Sequence, residues 1–414
     1  MPRDDTGPDA ARAGASDQHR PGPPPAGAVS DRLPLLLGAS GGALVANIYF
    51  AQPLIAPIGR DIGLSPATAS LIVTLTQLGY AGGLLLLVPL GDRLDSRRLV
   101  PGTVLGTAAA AALAALAPGE AVFLLASLLL GLFAASAQML VPIAARNAGE
   151  AVRGRAVGNV VSGILIGILL ARPVASLVTD LAGWRVVFGL SAAAMLGIAA
   201  LLRRGLPPHR PVAQGSYAAL LLSLVRLFRH SAVLRRRAFY QALLFASFIM
   251  FWTAVPLMLA DLGLSQRGIA LFALAGAAGA VAAPVAGRLA DRGWTQPGSA
   301  AAMLAVLAGF GLMGLGGDSI PVLVAAALLV DIGVTGNLVL GQRVILSLGA
   351  AQASRMNGLY MATIFVGGAS GGALAGLMHT LGGAAPVAWA GIALALVALL
   401  AFAIEFLSRP SRVA

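Results

Sequence analysis

Long apolar stretches almost free of charge run through this chain, and they constrain its fold more than any other feature. Twelve of them reach the roughly 20 residues that a helix needs to cross the hydrocarbon core of a bilayer. In lipid every backbone polar group must be satisfied internally, so these stretches predict an all-α membrane protein. The first six spans are predicted at 33–58, 66–90, 99–117, 121–145, 156–179 and 185–202, and the second six at 238–260, 268–287, 299–317, 320–342, 356–379 and 385–407.

Composition agrees with a membrane protein and excludes several catalytic chemistries. Hydrophobic residues make up 58% of the 414 residues and charged residues 11%, whereas soluble domains carry about 25% charge. The chain has no cysteine and no lysine, which excludes disulfides, thiolate metal sites, a cysteine nucleophile, a Walker phosphate loop and a lysine Schiff base. Because no histidine and no carboxylate cluster lies at mid-span, we expect no enzymatic activity, no metal and no cofactor.

Short patterns recur about 200 residues apart in the same order, which indicates a duplicated half. They are Asp61-Ile62-Gly63-Leu64-Ser65 with Asp261-Leu262-Gly263-Leu264-Ser265, Asp92-Arg93 with Asp291-Arg292, and Arg155-x-x-Gly158 with Arg355-x-x-Gly358. We predict two pseudo-symmetric six-helix bundles, at 31–202 and 238–407, joined by a cytosolic linker at 203–237. Residues 1–30 are predicted to be a disordered cytosolic tail, and 408–414 a cytosolic C-terminus. A duplicated membrane chain is typical of a secondary transporter that holds its substrate between the halves.

The arginines predict the orientation in the membrane. The net charge of +12 lies in loops between apolar spans and not on one face of a soluble domain, so we expect no nucleic-acid partner. With both termini in the cytosol, every arginine except Arg60, Arg172, Arg185 and Arg267 falls in the tail, the linker or a cytosolic loop. We therefore predict a multi-pass protein of the cell inner membrane, in contact with lipid, and we expect it to be a monomer. The end of the linker, 218–237, predicts an amphipathic helix on the headgroups, with a plain basic loop as the alternative.

The loops after spans 2 and 8 carry related charged patterns, Val88-Pro89-Leu90-Gly91-Asp92-Arg93-Leu94-Asp95-Ser96-Arg97-Arg98 and Gly287-Arg288-Leu289-Ala290-Asp291-Arg292. With twelve spans in two repeats, residues 33 to 407 resemble the major facilitator superfamily, in which this loop is a latch of the outward-facing state. A carboxylate among arginines makes charge-assisted hydrogen bonds that can clamp helix ends. The resemblance assigns gating to Asp92, Arg93, Arg97, Arg98, Asp291 and Arg292, with Arg146 as a partner; a loop that only sets topology is the alternative.

Two further phrases resemble exporters of that superfamily. Proton-driven drug exporters show Gly, eight residues and Gly-Pro in span 5, where this chain has Gly163, eight intervening residues and then Arg172-Pro173. The span 1 phrase from Ala46 to Leu54 is similar to that of bacterial arabinose-efflux and purine-ribonucleoside-efflux proteins. The resemblance implies alternating-access efflux of a small organic solute in exchange for protons, with a proton-coupled uptake symporter of the same fold as the alternative. The glycines of spans 5 and 11 predict close contact of these two helices across the halves.

Two charged residues fall inside spans, where charge is costly. Asp331 lies twelve residues from Arg343, about 18 Å at ~1.5 Å per residue, near the midplane. Burial disfavours its charged form, so Asp331 is a candidate for proton coupling; a structural role and substrate contact are the alternatives. Arg172 could bind an anionic substrate group, pair with a carboxylate, or reach the outer interface. The remaining candidates for the substrate cavity are Asn47, Gln52, Gln77, Tyr80, Gln138, Trp252, Asn337 and Tyr360.

Overall fold

The computed structural model describes residues 32–208, 216–349 and 352–407. Within these ranges it has 12 helices long and apolar enough to cross a membrane, which confirms the predicted number. The predicted tail at 1–30 and the predicted C-terminus at 408–414 lie outside the described residues. Spans 1 to 6 are Leu33–Ile62, Leu71–Asp92, Ser96–Ala115, Glu120–Asn147, Glu150–Ala182 and Trp184–Gly205, and spans 7 to 12 are Ala232–Asp261, Gln266–Asp291, Thr295–Gly316, Ile320–Leu346, Ala353–Gly382 and Ala384–Leu407.

Several helices continue beyond the apolar stretch that predicted them. Span 5 begins at Glu150 and span 7 at Ala232, each six residues before its predicted start. Caps and backbone hydrogen bonds set these ends, whereas hydrophobicity sets only the part that lies in lipid. At the start of span 7, for example, the Ser231 hydroxyl accepts a hydrogen bond from the Leu234 N–H at 3.3 Å.

The repeated Asp-x-Gly-Leu-Ser sequence forms the same turn in both halves. Gly63 and Gly263 have φ angles of 78° and 83°, a conformation that a side chain disfavours and that ends spans 1 and 7. The serine two residues on caps the next helix: Ser65 accepts from the N–H of residue 68 at 3.2 Å, and Ser265 from the N–H of residue 268 at 3.4 Å. The duplication therefore preserves a helix stop and a helix start.

The aspartate of each repeat joins this turn to another helix. Asp61 pairs with Arg185 and accepts a hydrogen bond from Trp184 Nε1 at 3.1 Å, which ties span 1 to span 6. Asp261 Oδ2 lies 3.3 Å from His379 Nε2, which ties span 7 to span 11. The two halves use the same aspartate with different partners.

The glycine faces of spans 5 and 11 pack within their own halves, so the predicted contact between these two helices is wrong. A Cβ on Gly167 would lie 2.2 Å from the Gly42 carbonyl oxygen of span 1, and a Cβ on Gly371 would lie 2.0 Å from the Ala246 carbonyl oxygen of span 7. Backbones approach this closely only where both helices carry small residues, and spans 1 and 7 supply them. The same pairing recurs in both halves. In the first half span 1 packs on span 5, span 2 on span 4 and span 3 on span 6; in the second half span 7 packs on span 11, span 8 on span 10 and span 9 on span 12.

The two halves meet through spans 2 and 11, spans 5 and 8, and spans 1 and 7. A Cβ on Gly372 of span 11 would lie 3.0 Å from the Thr74 nitrogen of span 2. Arg267 Nε of span 8 lies 2.5 Å from Asp180 Oδ2 of span 5. These contacts lie toward the span ends opposite the arginine-rich loops, and they close the interface on that side.

The linker contains a helix at Tyr217–His230. Its Leu224 is buried, and the helix packs on spans 7 and 11 of the second half. The Tyr217 hydroxyl donates to the Leu86 carbonyl of span 2 at 2.6 Å, so the linker helix also holds the first half. The observed helix ends earlier than the predicted 218–237, because residues from Ala232 onward belong to span 7, and it lies against the bundle on the arginine-rich side.

Candidate functional site

A cavity of about 680 Å³ lies between the two halves and is lined by both. Arg172 and Asp331 form its inner end, whereas Asp92, Arg146 and Arg355 lie at its mouth. The mouth is on the side of the arginine-rich loops, and the contacts between the halves close the opposite side. The volume falls within the roughly 300–1,000 Å³ that small-molecule sites occupy.

Most of the cavity wall is apolar. Leucine, isoleucine and phenylalanine side chains of both halves line it between the mouth and the inner end, among them Leu84, Ile164, Ile168, Phe245, Leu338 and Ile364. Near the inner end the polar lining is limited to a few side chains, which include Tyr80, Gln138 and Thr335. Such a wall fits an apolar molecule with few hydrogen-bonding groups.

Arg172 is held at the inner end by groups from two other spans. Its Nε donates to Gln52 Oε1 of span 1 at 2.8 Å. The guanidinium carbon lies 4.5 Å from the ring centroid of Trp252, 4.9 Å from that of Tyr49 and 5.6 Å from that of Phe248, distances at which cation–π attraction operates. The residue is 3% exposed, so it does not reach the outer interface, which was one of the three predicted alternatives.

Asp331 lies beside Arg172 without pairing with it. Its Oδ2 accepts a hydrogen bond from Trp252 Nε1 at 2.9 Å, and the residue is 4% exposed. A Cβ on Gly279 of span 8 would lie 3.5 Å from Asp331 Oδ1, so this glycine leaves room for the carboxylate. Among the described residues no ion pair joins Asp331 to Arg172; the Trp252 indole contacts both, with its face on the cation and its N–H on the anion.

Gln138 and Asn337 occupy equivalent places in the two halves but have different surroundings. Gln138 lines the cavity and its Nε2 donates to the Tyr80 hydroxyl at 3.0 Å. Asn337 lies inside the second half, where its Nδ2 donates to Gln241 Oε1 at 2.7 Å. Gln241 in turn donates to the Val334 carbonyl at 3.1 Å, so this pair joins spans 7 and 10.

The other predicted cavity residues are buried in helix packing and do not line the cavity. The Asn47 side chain accepts from the Ser191 hydroxyl at 2.6 Å and so joins spans 1 and 6. Gln77 and Tyr360 are fully buried, and among the described residues neither side chain has a hydrogen-bond partner for its buried polar atoms. Gln52 and Trp252 act on the site through Arg172 and Asp331.

The loop after span 2 lies at the mouth of the cavity, where Asp92 and Arg146 both line it. Arg146 Nη2 is 3.5 Å from the Ser96 hydroxyl, and within the described ranges no ion pair joins it to Asp92. Arg97 Nε donates to the Arg203 carbonyl at 3.2 Å, which fastens this loop to the end of span 6. Arg93 and Arg98 belong to the same loop, and Arg98 is exposed.

The second copy of this loop contains an ion pair. Asp291 Oδ1 at the end of span 8 lies 2.5 Å from Arg343 Nη2 of span 10, and both side chains are more than half exposed. Arg292 is exposed beside them. In the second half the loop carboxylate therefore pairs with an arginine, whereas in the first half the equivalent carboxylate lines the open mouth of the cavity.

Sequence reasoning missed two of the three rings around Arg172. Tyr49 lies three residues before Gln52, and Phe248 four residues before Trp252, spacings that place each pair on one face of a helix. Those spacings indicated that Tyr49 and Phe248 lie on the same helix faces as the candidates Gln52 and Trp252. Apolar helices carry many such pairs, and only the packing shows which of them faces an arginine.

Comparison with known proteins identifies the family. The family model described as Major Facilitator Superfamily matches residues 35–347. The uncharacterized transporter YgaY of Escherichia coli O157:H7 is 39% identical over 374 residues, which cover 90% of this chain and 95% of that protein. The probable transporter SCO4007 of Streptomyces coelicolor is 34% identical over 85% of this chain and 82% of its own.

A solved structure has the same fold. The inward-facing, unoccupied bacterial homologue of the human lysosomal transporter Spinster matches with a TM-score of 0.73 at 14% identity, over 92% of this chain and 97% of that one. The shared twelve-helix fold, the family match over most of the chain and the relatives named as transporters agree with one another. The chain belongs to the major facilitator superfamily, and it is a multi-pass membrane transporter and not an enzyme.

Proposed function

We propose that this transporter exports a small organic solute across the cell inner membrane by alternating access, in exchange for protons carried by Asp331. One observation carries the proposal: a buried carboxylate lies at the inner end of a cavity that both halves line. A group in that place can hold a proton when the solute is absent and release it when the solute occupies the cavity. The halves can then reorient according to what the site holds.

The arginines support the orientation. The loops around the cavity mouth carry most of them, and the positive-inside rule places such loops in the cytosol. Both termini then lie in the cytosol, and the described state is open to the inside. Because the two halves already form a complete cavity, we propose that the protein works as a monomer with lipid around it.

Two sets of contacts would alternate during transport. Arg267–Asp180 and the packing of span 2 on span 11 close the outer side in the described state. Opening that side requires these contacts to break while the cytosolic mouth closes. The loop groups at the mouth, with Asp92 near Arg146, would then come together, as the resemblance of this loop to a latch of the outward-facing state implies.

Asp331 is placed so that its protonation changes the energy of the site. The charged or titratable groups that interact with it are Arg172 on span 5 and Tyr49 on span 1. Spans 7 and 8 bring Trp252 and Gly279 against it, neither of which carries charge. Ionised Asp331 balances the Arg172 charge, whereas protonated Asp331 leaves that charge uncompensated between the two halves. The halves should therefore favour different arrangements in the two protonation states.

The span 1 phrase similar to bacterial efflux proteins supports export. A proton-coupled uptake symporter of the same fold is the alternative, since an alternating-access cycle can run either way. With a solute found by a thermal-shift screen, added to proteoliposomes that contain a pH dye, the direction of proton movement separates the two. Exchange moves protons against the solute, and symport moves them with it.

Proton coupling can be tested without a known solute, because the native chain has no cysteine. Spin labels at Val152 and Gln352 report the arginine-rich side, and labels at Leu116 and Leu315 report the opposite side. All four residues are exposed and form two pairs related by the repeat. Distances between the labels are measured by double electron–electron resonance from acidic to alkaline pH. In the wild type the populations of inward-open and outward-open molecules should shift with pH.

The same measurement on Asp331→Asn should give populations that no longer respond to pH. Asp318→Asn is the matched control, since Asp318 is an exposed carboxylate in the loop between spans 9 and 10. The control should respond as the wild type does. An unchanged pH response in Asp331→Asn would disprove proton coupling through Asp331.

A further inference from the structure

We propose that the solute is an uncharged, mainly apolar molecule that presents a carbonyl-type hydrogen-bond acceptor to Arg172. This inference rests on the transport function proposed above and adds the chemical class of the solute. Three features of the cavity lead to it: its charge balance, its unpaired donors and its walls.

When Asp331 is ionised, as exchange requires while the solute is bound, the charges at the inner end of the cavity already balance. Arg172 and Asp331 are 3% and 4% exposed, and both line the cavity. Each is stabilised by the opposite charge of the other and by the Trp252 indole between them. A charged solute would add a third charge without a counterion next to two almost fully buried groups, which is costly. The site therefore favours a neutral molecule.

The unpaired polar groups next to Arg172 are donors. Nη2 of Arg172, which lines the cavity, is buried and has no hydrogen-bond partner among the described residues; Nε2 of Gln52 also lacks one, but Gln52 does not line the cavity. The Arg172 Nε is already used by Gln52, and aromatic rings lie over the guanidinium, so an acceptor has to approach an edge. A buried donor left unpaired is unfavourable, and a carbonyl oxygen on the solute would satisfy Nη2 of Arg172.

The rest of the cavity offers little to a molecule with many hydroxyl groups. Tyr80 and Gln138, polar side chains of the first half near the inner end, are hydrogen-bonded to each other. Apolar side chains such as Leu84, Ile168 and Ile364 form the surrounding wall. A sugar would leave most of its hydroxyls unpaired here, whereas an apolar body with one polar end fits.

This solute class agrees with export. An uncharged apolar molecule enters the hydrocarbon core without the penalty that a charge carries. It therefore crosses the membrane unaided, so its entry needs no carrier, whereas lowering its concentration in the cell requires active expulsion.

Four probes with one naphthalene body test the inference on the full-length protein purified in detergent. 2-Acetylnaphthalene carries the ketone, and 2-isopropenylnaphthalene has the same shape without the oxygen. 2-Naphthoate and 2-naphthylmethylammonium carry a negative and a positive charge. Affinities come from equilibrium dialysis at neutral pH, with thermal shift as a second readout. The ketone should bind roughly tenfold or more tightly than the alkene and than either ion, as expected for one hydrogen bond to a charged donor.

Two variants connect this preference to Arg172. Arg172→Met should bind ketone and alkene equally. Because that change leaves Asp331 without its counter-charge, the double variant Arg172→Met/Asp331→Asn repeats the test in a site that is again neutral, and it should also lose the preference. Equal binding of ketone and alkene by the wild type, tighter binding of either ion, or no binding of the ketone would overturn the inference. So would a preference that persists in both variants. The distance measurements proposed above need no probe molecule, so they test the transport proposal separately.

Discussion

By the orientation proposed above, the ion pair between Asp180 and Arg267 lies on the outer side of the membrane, and it gives the sharpest test of how the halves separate. Asp180 lies in the last turn of span 5 and Arg267 in the first turn of span 8, so each charge is at the helix end whose dipole disfavours it. The two side chains are 21% and 67% exposed, and their atoms are 2.5 Å apart. Each charge is compensated by the other, and this compensation is lost when the outer side opens.

The exposure of the two side chains sets how much free energy the ion pair contributes to keeping this side closed. Exposed ion pairs contribute about 0.2–1 kcal/mol, and solvent screening of Arg267 keeps this pair within that range. Because Asp180 is less exposed, the contribution of the pair lies near the upper limit, about 1 kcal/mol, which is roughly a fivefold change in an equilibrium. Asp180→Asn should therefore raise the ratio of outward-open to inward-open molecules by about two- to fivefold.

Spin labels at Leu116 and Leu315 measure that ratio on the outer side. Asp318→Asn removes a carboxylate from the same side and should leave the ratio unchanged. The charge reversal Asp180→Arg/Arg267→Asp should restore the wild-type ratio, because it rebuilds the pair and also places each charge at the favourable helix end. A ratio that stays the same in Asp180→Asn, at low salt where screening is weakest, would refute a latch at this position.

Three further substitutions have defined outcomes. Gly42→Ala should destabilise the protein by about 1–3 kcal/mol in a detergent unfolding assay, because the new Cβ would lie 2.3 Å from the Gly163 carbonyl oxygen. Tyr217→Phe removes the hydrogen bond to span 2, worth about 0.5–1.5 kcal/mol, and should speed amide hydrogen exchange in the linker helix. Trp252→Phe removes the hydrogen bond donated to ionised Asp331, so the midpoint of the pH-dependent distance change should move to higher pH.

Each of these has its own control. Gly158→Ala adds a methyl group where no atom lies within 4 Å, and it should leave unfolding unchanged; equal damage by both glycine variants would argue against close packing of spans 1 and 5.

Burial raises the pKa of Tyr217, so its hydroxyl keeps its proton through neutral and mildly alkaline pH. The contribution of this bond to stability should fall only when the pH rises past the ordinary range of tyrosine. Faster exchange throughout the protein in Tyr217→Phe, and not mainly in the linker helix, would contradict a local role.

For Trp252→Phe the direction of the shift is decisive. Phenylalanine keeps a ring next to Arg172 but has no N–H for Asp331, so the cation–π contact is weakened and the hydrogen bond is lost. A midpoint that moves to lower pH would show that Trp252 stabilises the protonated carboxylate.

The glycines of span 5 show how much of the helix packing a sequence pattern can predict. Gly163 and Gly167 predict that span 5 packs closely against some helix, since small residues on one face allow backbones to approach. The pattern does not name the partner, and the predicted partner, span 11, was wrong. Gly38 and Gly42 of span 1 match the spacing and lie in the same half. Many spans here carry glycine, so only the order of the helices in the bundle decides between them.

The sequence by itself determined the twelve spans and the repeat, whose Asp-x-Gly-Leu-Ser pattern forms the turns at Gly63 and Gly263. These follow from interactions local in the chain: hydrophobicity over a single helix, and caps made by residues a few positions apart. It also singled out Asp331 and Arg172, because charge inside an apolar span is conspicuous. Only the tertiary structure decided that the two charges meet at one end of a cavity with Trp252 between them. That arrangement joins spans 5, 7 and 10, and residues so distant in sequence come together only through the packing of the two halves.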